Sequence, residues 1–205
     1  MSKFTLTYFD ARGRAENARL LFVVAGVKYE DKRLEMSAWG ENKASMPFGV
    51  LPNLKLADGT SVAMSAAIAN YLAREFNLYG KGNKENAQVD TVTNALSEIM
   101  DLVYKFIFTK EEGPKAEAKT KASAKIASYG AALEENLKQN NGGKGYLVGK
   151  SITLADIAFF NAFSEIAAMD DKALDNLPLL KALLARVGTD KKIAKWVETR
   201  PKTQF

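Results

Sequence analysis

The periodicity of the chain changes once, near residue 80, and this limits the possible folds more than any other feature. Before it, short runs of period two are interleaved with runs at helical spacing; after it the apolar repeats are helical. Residues 3–9 set Phe4, Leu6 and Tyr8 against Thr5, Thr7 and Phe9, a strand whose far end presents Tyr8. From Arg14, Ala18, Leu21, Phe22 and Val24 recur at helical spacing up to Gly26, a suitable left-handed cap. Val27 to Leu34 reads as a second strand. After an irregular stretch containing Trp39 and Pro47-Phe48-Gly49, Leu51 to Leu56 and the Asp58-Gly59 turn signal a hairpin. Ser65 is expected to cap a helix carrying Ala67, Ile68, Tyr71 and Leu72 on one face. The order is βαβ, then ββα.

The glycine-rich polar run from Leu78 to Glu85 marks a boundary. An α/β domain over residues 1–79 and an all-helical domain over 86–205 are therefore expected. In the second, Val89, Val92, Leu96, Ile99, Val103 and Phe106 share a face of one long helix, and another spans Pro114 to Gln139, ending at Asn140-Asn141-Gly142-Gly143. Shorter helices are expected near 154–168, 177–187 and 191–198. Thr153 and Asp156 form a capping box with Asp in place of the usual Glu, and Ile152 on Ile157 supplies the hydrophobic staple. That role is structural, so loss of Asp156 should impair folding before chemistry.

With 47% hydrophobic residues in 205, the chain can bury a substantial core. It has no histidine, which removes imidazole as general base and metal ligand, and no cysteine, which removes a thiol nucleophile and disulfides. No metal is expected. Apolar runs stay below the roughly 18 residues of a membrane span, and the start is already strand-like, so a soluble, cytoplasmic protein is expected. The net charge is +5, but the lysines from Lys115 to Lys125 alternate with alanine and lack arginine or aromatic neighbours. They read as a solvated helix face, with no nucleic acid partner.

Several residues carry possible chemistry. Tyr8 ends a strand just before Arg12-Gly13-Arg14, placing a phenol near a guanidinium; its other reading is a half-buried core tyrosine. Ser65 at a helix start suits a carboxylate, or serves as an ordinary cap. Trp39 and Lys43 offer an indole N–H and a cation, or simply packing and surface charge. A cis Leu51-Pro52 bond would leave the Leu51 backbone free to pair with an extended peptide, but only about 5–6% of X-Pro bonds are cis, which favours a trans strand opening.

The order and spacing of these segments resemble those of sigma-class glutathione transferases and their nematode relatives over essentially the whole length. The resemblance rests on Leu6-Thr7-Tyr8-Phe9 with Arg12-Gly13-Arg14-Ala15-Glu16; Trp39 with Lys43; Met46-Pro47-Phe48-Gly49 and Leu51-Pro52; Ser65-Ala66-Ala67-Ile68-Ala69 with Tyr71-Leu72-Ala73-Arg74; Ser151 to Asp156; and Arg200-Pro201. It implies a thioredoxin-like domain followed by an all-helical domain that contributes the electrophile pocket. It also implies transfer of the glutathione thiolate to small apolar electrophiles, with Tyr8 and Arg14 as catalytic residues. Trp39 and Lys43 would meet the glycine end of glutathione, the Leu51 backbone its cysteinyl part and Ser65 the γ-glutamyl carboxylate. Gly49, Val50, Pro52 and Met64 complete the implied site, and Glu98 would reach the γ-glutamyl amine from the partner subunit of a homodimer, with Phe48 inserting across that contact. Met64 and Val50 stand where many relatives have polar residues, which should weaken binding. Alternative outcomes within the resemblance are a glutathione-dependent prostaglandin isomerase and a non-catalytic, crystallin-like or ligand-carrying protein.

Overall fold

The computed structural model of the protein describes residues 3–203. The chain divides into two compact units, one comprising the residues up to Leu78 together with those from Asp190 onward, the other Tyr79–Thr189. The first unit is built on a four-stranded mixed sheet of order β2-β1-β3-β4, with β1 Phe4–Phe9, β2 Glu30–Leu34, β3 Asn53–Leu56 and β4 Ser61–Ala63. β1 pairs parallel with β2 and antiparallel with β3, which pairs antiparallel with β4 across the Asp58-Gly59 turn. Helix α1 (Glu16–Ala25) makes the crossover and ends, as expected, on Gly26 at φ 70°. Short turns and α2 (Trp39–Asn42) link β2 to β3, and α3 (Ser65–Glu75) follows β4.

Leu6 and Leu54 from the sheet, Leu20, Leu21 and Phe22 from α1, and Ile68 and Leu72 from α3 are fully buried. Each contributes about 1.5–3 kcal/mol of transfer free energy, which fixes α1 and α3 against the sheet. α3 begins at Ser65 itself; its N-cap is Met64 at φ 68°, so the expected serine cap is corrected by one position. The Ser65 hydroxyl is therefore not consumed as the cap at that helix start.

The second unit contains α4 (Gly82–Phe108), α5 (Glu112–Gln139), α6 (Leu154–Met169) and α7 (Pro178–Gly188). Val89, Val92, Leu96, Ile99 and Val103 form the buried stripe of α4, in the expected register. α6 is apolar almost all round and is buried accordingly, from Leu154 to Ile166. The α7 N-terminus is held by Glu134, whose two carboxylate oxygens accept from the Leu179 and Leu180 amides at 2.9 and 2.8 Å. No helix among the described residues is long and apolar enough to cross a membrane.

At the C-terminus, α8 (Lys191–Thr199) groups with the first compact unit. Ile193 is fully buried, Lys192 Nζ donates to the Val24 carbonyl at the end of α1 at 2.6 Å, and Trp196 Nε1 donates to Glu16 at 2.8 Å. Helical periodicity identifies α8 as a helix, but it carries no information about which unit will cover its apolar face.

Candidate active site

The sheet register gathers most of the expected site at one edge. Thr7 pairs with Asn53, and Asn53 with Ala63. Next to these pairs in the chain come Tyr8 on β1, Pro52 just before β3 and Met64 just after β4, at the same end of the sheet. Leu51-Pro52 is cis and leads directly into β3. Ser65, the first residue of α3, follows Met64 at this edge, so the positive end of the helix dipole lies beside the end of the sheet. The chain leaving β2 at Leu34 supplies α2, where the Trp39 ring packs edge-on against Phe9 at 5.6 Å, and Phe9 in turn packs against Tyr8 at 5.4 Å.

Tyr8 is 9% exposed, and its hydroxyl oxygen accepts the backbone N–H of Arg14 at 3.1 Å. Because that bond uses a lone pair, the phenolic proton remains available for a second partner. A hydrogen bond accepted at an oxygen also polarises the O–H and makes it a better donor. The approach depends on Gly13, which has φ +40° and whose hypothetical Cβ would stand 2.7 Å from the Tyr8 hydroxyl. A side chain there would displace the phenol.

Lys43 and Gly49 are brought together: a Cβ on Gly49 (φ +59°) would lie 3.4 Å from Lys43 Cε. Val50 continues in extended conformation toward Leu51 and Pro52. Phe48 is 83% exposed with φ 56°, and Met64 is half-exposed with φ 68°. Left-handed backbone at large side chains costs about 1–3 kcal/mol and clusters at functional sites. Both outliers flank this edge.

Glu98 lies on α4, in the second unit. Its carboxylate accepts from Tyr129 Oη at 2.7 Å and Lys125 Nζ at 3.1 Å, and these bonds, the tyrosine's first, hold it below the usual carboxylate range. The capping box at α6 forms as expected, and Asp156 does more than the sequence indicated. Its Oδ2 accepts from the Thr153 amide and hydroxyl, both at 2.9 Å, while Oδ1 accepts from the Leu147 amide at 2.7 Å.

Sequence reasoning gave no role to two charged residues of α1, one of which, Arg19, lies against the Tyr8 ring. Glu16 and Arg19 on α1 are both fully buried and bonded at 3.2 Å. The available signal was an i, i+3 charge pair within the apolar run Ala18, Leu20, Leu21 and Phe22.

Residues 4–74 match the family described as glutathione S-transferase, N-terminal domain, and residues 97–200 match glutathione S-transferase, C-terminal domain. The chain is 38% identical to hematopoietic prostaglandin D synthase of Gallus gallus, with 99% of each chain covered. It is 35% identical to S-crystallin 4 of Enteroctopus dofleini over all of both chains. Among solved structures, monomeric Na-GST-3, a glutathione S-transferase of the hookworm Necator americanus, superposes with a TM-score of 0.90 at 35% identity, covering 98% of this chain and 99% of that one.

Proposed function

Since this chain belongs to the glutathione S-transferase family, we propose that it is a sigma-like, cytoplasmic member in which Tyr8 stabilises the thiolate of glutathione for attack on small apolar electrophiles. The observation that carries this reading is the Tyr8 hydroxyl, which accepts from the Arg14 amide and keeps its own proton free at the edge where Pro52, Met64 and Ser65 converge. A free cysteine thiol has a pKa of about 8.5, so donation from Tyr8 to the sulfur has only to lower it modestly for the thiolate to dominate near neutrality. The thiol proton leaves to solvent, and the sulfur lone pair forms the C–S bond to the electrophile, expelling halide when the substrate is an aryl halide. Arg14 adds positive field, the α3 N-terminus with Ser65 suits the γ-glutamyl carboxylate, and Trp39 with Lys43 suits the glycine carboxylate. Calorimetric titration with glutathione, paired with an aryl-halide turnover assay, tests this: binding with turnover is expected, and absence of both would refute it.

Met64 offers the γ-glutamyl group only its backbone. Met64→Gln is therefore expected to lower the dissociation constant for glutathione by about 3- to 10-fold, the net worth of one ordinary hydrogen bond. Unchanged or weaker binding in the same titration would mean that the site is adapted to methionine.

The reading includes a homodimer. An aromatic side chain at φ 56° and 83% exposure combines two costs, and cover by a second copy would offset both. Light scattering at micromolar concentration is expected to give twice the chain mass, with Phe48→Ala shifted toward the monomer. A monomeric wild type would place this chain with the hookworm protein described as monomeric. In a dimer, Glu98 could meet the partner's glutathione amine only by sharing its carboxylate with Tyr129 and Lys125. The likeness to prostaglandin D synthase makes isomerase activity the second reading, decided by product analysis with prostaglandin H2; the S-crystallin likeness predicts binding without turnover.

A further inference from the structure

We infer that Arg19 is a positioning residue for thiol activation, its buried guanidinium holding the turn over residues 11–14 so that the Arg14 amide meets the Tyr8 oxygen. The inference rests on the proposed role of Tyr8 and concerns what keeps that phenol and its donor in register. Arg19 Nη1 donates to the Ala11 carbonyl at 2.7 Å and the Arg12 carbonyl at 3.3 Å, the two peptide groups immediately before Gly13 and Arg14. The same nitrogen meets Glu16 at 3.2 Å, and Nε donates to Asp31 on β2 at 3.1 Å. The guanidinium carbon lies 5.9 Å from the Tyr8 ring centroid. One planar group thus joins the turn, α1 and β2 directly beneath the phenol.

The device extends further. The other Glu16 oxygen accepts from Trp196 Nε1 and Arg200 Nη1, each at 2.8 Å, so the C-terminal helix α8 anchors the carboxylate that orients Arg19. Asp31 is held in turn by Arg33 Nε at 2.8 Å, and Arg33 Nη1 reaches Asp10 at 2.9 Å, at the start of the turn. Burying a full charge is expensive unless it is paired and hydrogen-bonded, and Arg19 Nη2 finds no acceptor among the described residues. A group maintained at that cost, with two bonds to a turn that touches the reacting phenol, is explained by the turn's position. A lysine in its place would keep the charge but lose the planar fork that reaches several acceptors at once.

The test follows the titration of the bound glutathione thiol by thiolate absorbance, together with kcat and KM, in wild type, Arg19→Lys, Tyr8→Phe and the double variant. Arg19→Lys is expected to raise the thiol midpoint by about one pH unit and lower kcat near neutrality about tenfold, one unit being a factor of ten in thiolate, with KM for glutathione within about threefold. In the Tyr8→Phe background the same replacement is expected to add nothing, because it acts through the phenol. An unmoved midpoint in folded Arg19→Lys, or an equal shift in both backgrounds, overturns the inference. Should Arg19→Lys not fold by circular dichroism, Asp31→Ala replaces it. That carboxylate is 21% exposed and binds Nε directly, so a shift of roughly half a unit in the same direction is expected and an unmoved midpoint overturns the inference. A Tyr8→Phe variant with an unmoved midpoint would instead refute the reading of Tyr8 itself, and the inference with it.

Discussion

Tyr8→Phe is expected to lower kcat with a generic aryl halide by about 10²-fold or more, the scale of one preorganised donor aimed at developing or resident negative charge. The substitution removes a single oxygen from a side chain that is 9% exposed, so the ring contacts with Phe9 are retained. The Arg14 amide loses its acceptor, a cost of about 1–3 kcal/mol where it is not replaced by water, which leaves the fold intact. The loss should be greatest below neutrality, where wild type still holds thiolate and the variant does not, and should narrow as pH approaches the thiol's own pKa. Glutathione affinity should change little, since the helix end at Ser65 and the Trp39–Lys43 region are untouched. A rate profile unchanged across pH would transfer thiol activation from the phenol to Arg14.

The strands and helices were legible because each writes its period into a contiguous run: Phe4, Leu6 and Tyr8 for β1, and Val89 through Val103 for α4. The convergence of Tyr8, Pro52 and Met64 was implicit in the hairpin and the strand order, but it needed the actual register, which one residue of slip would have reversed. Arg19 was not legible. A charged residue on a helix ordinarily reads as solvated, and only the packing of α1 shows it fully buried. The placement of α8 was hidden for a related reason: the groups that hold it, Glu16 and the Val24 carbonyl, lie more than 160 positions earlier in the chain. Ser65 was misread as a cap because serine favours that position, whereas the left-handed backbone at Met64 makes the turn into α3 instead. The engagement of Glu98 by Tyr129 and Lys125 likewise depends on how α4 meets α5, which the separate helical repeats do not encode.

Asp156→Ala is expected to destabilise the protein by about 3–4 kcal/mol at neutral pH while leaving the activity of the folded fraction unchanged. The carboxylate is fully buried and accepts three hydrogen bonds, so alanine removes the helix cap and deprives the Leu147 and Thr153 amides of this acceptor. The size of the loss depends on pH. Burial pushes the Asp156 carboxyl up to about 6, against the pull of its donors. A folded-state pKa above the unfolded value means that the native state holds the proton more tightly between the two. The part of its contribution that comes from proton uptake is therefore fully present below about pH 4, declines as pH rises through about 6 and is gone above it, leaving the cap and hydrogen bonds counted at neutral pH. The gap between wild type and Asp156→Ala in urea unfolding should be wider by about 2 kcal/mol near pH 4.5 than near pH 7.5. A gap that stays constant would mean that three donors keep the carboxylate ionised despite its burial. A gap that narrows in acid would mean that they depress its pKa, making the 147–156 segment an acid-labile part of the second unit.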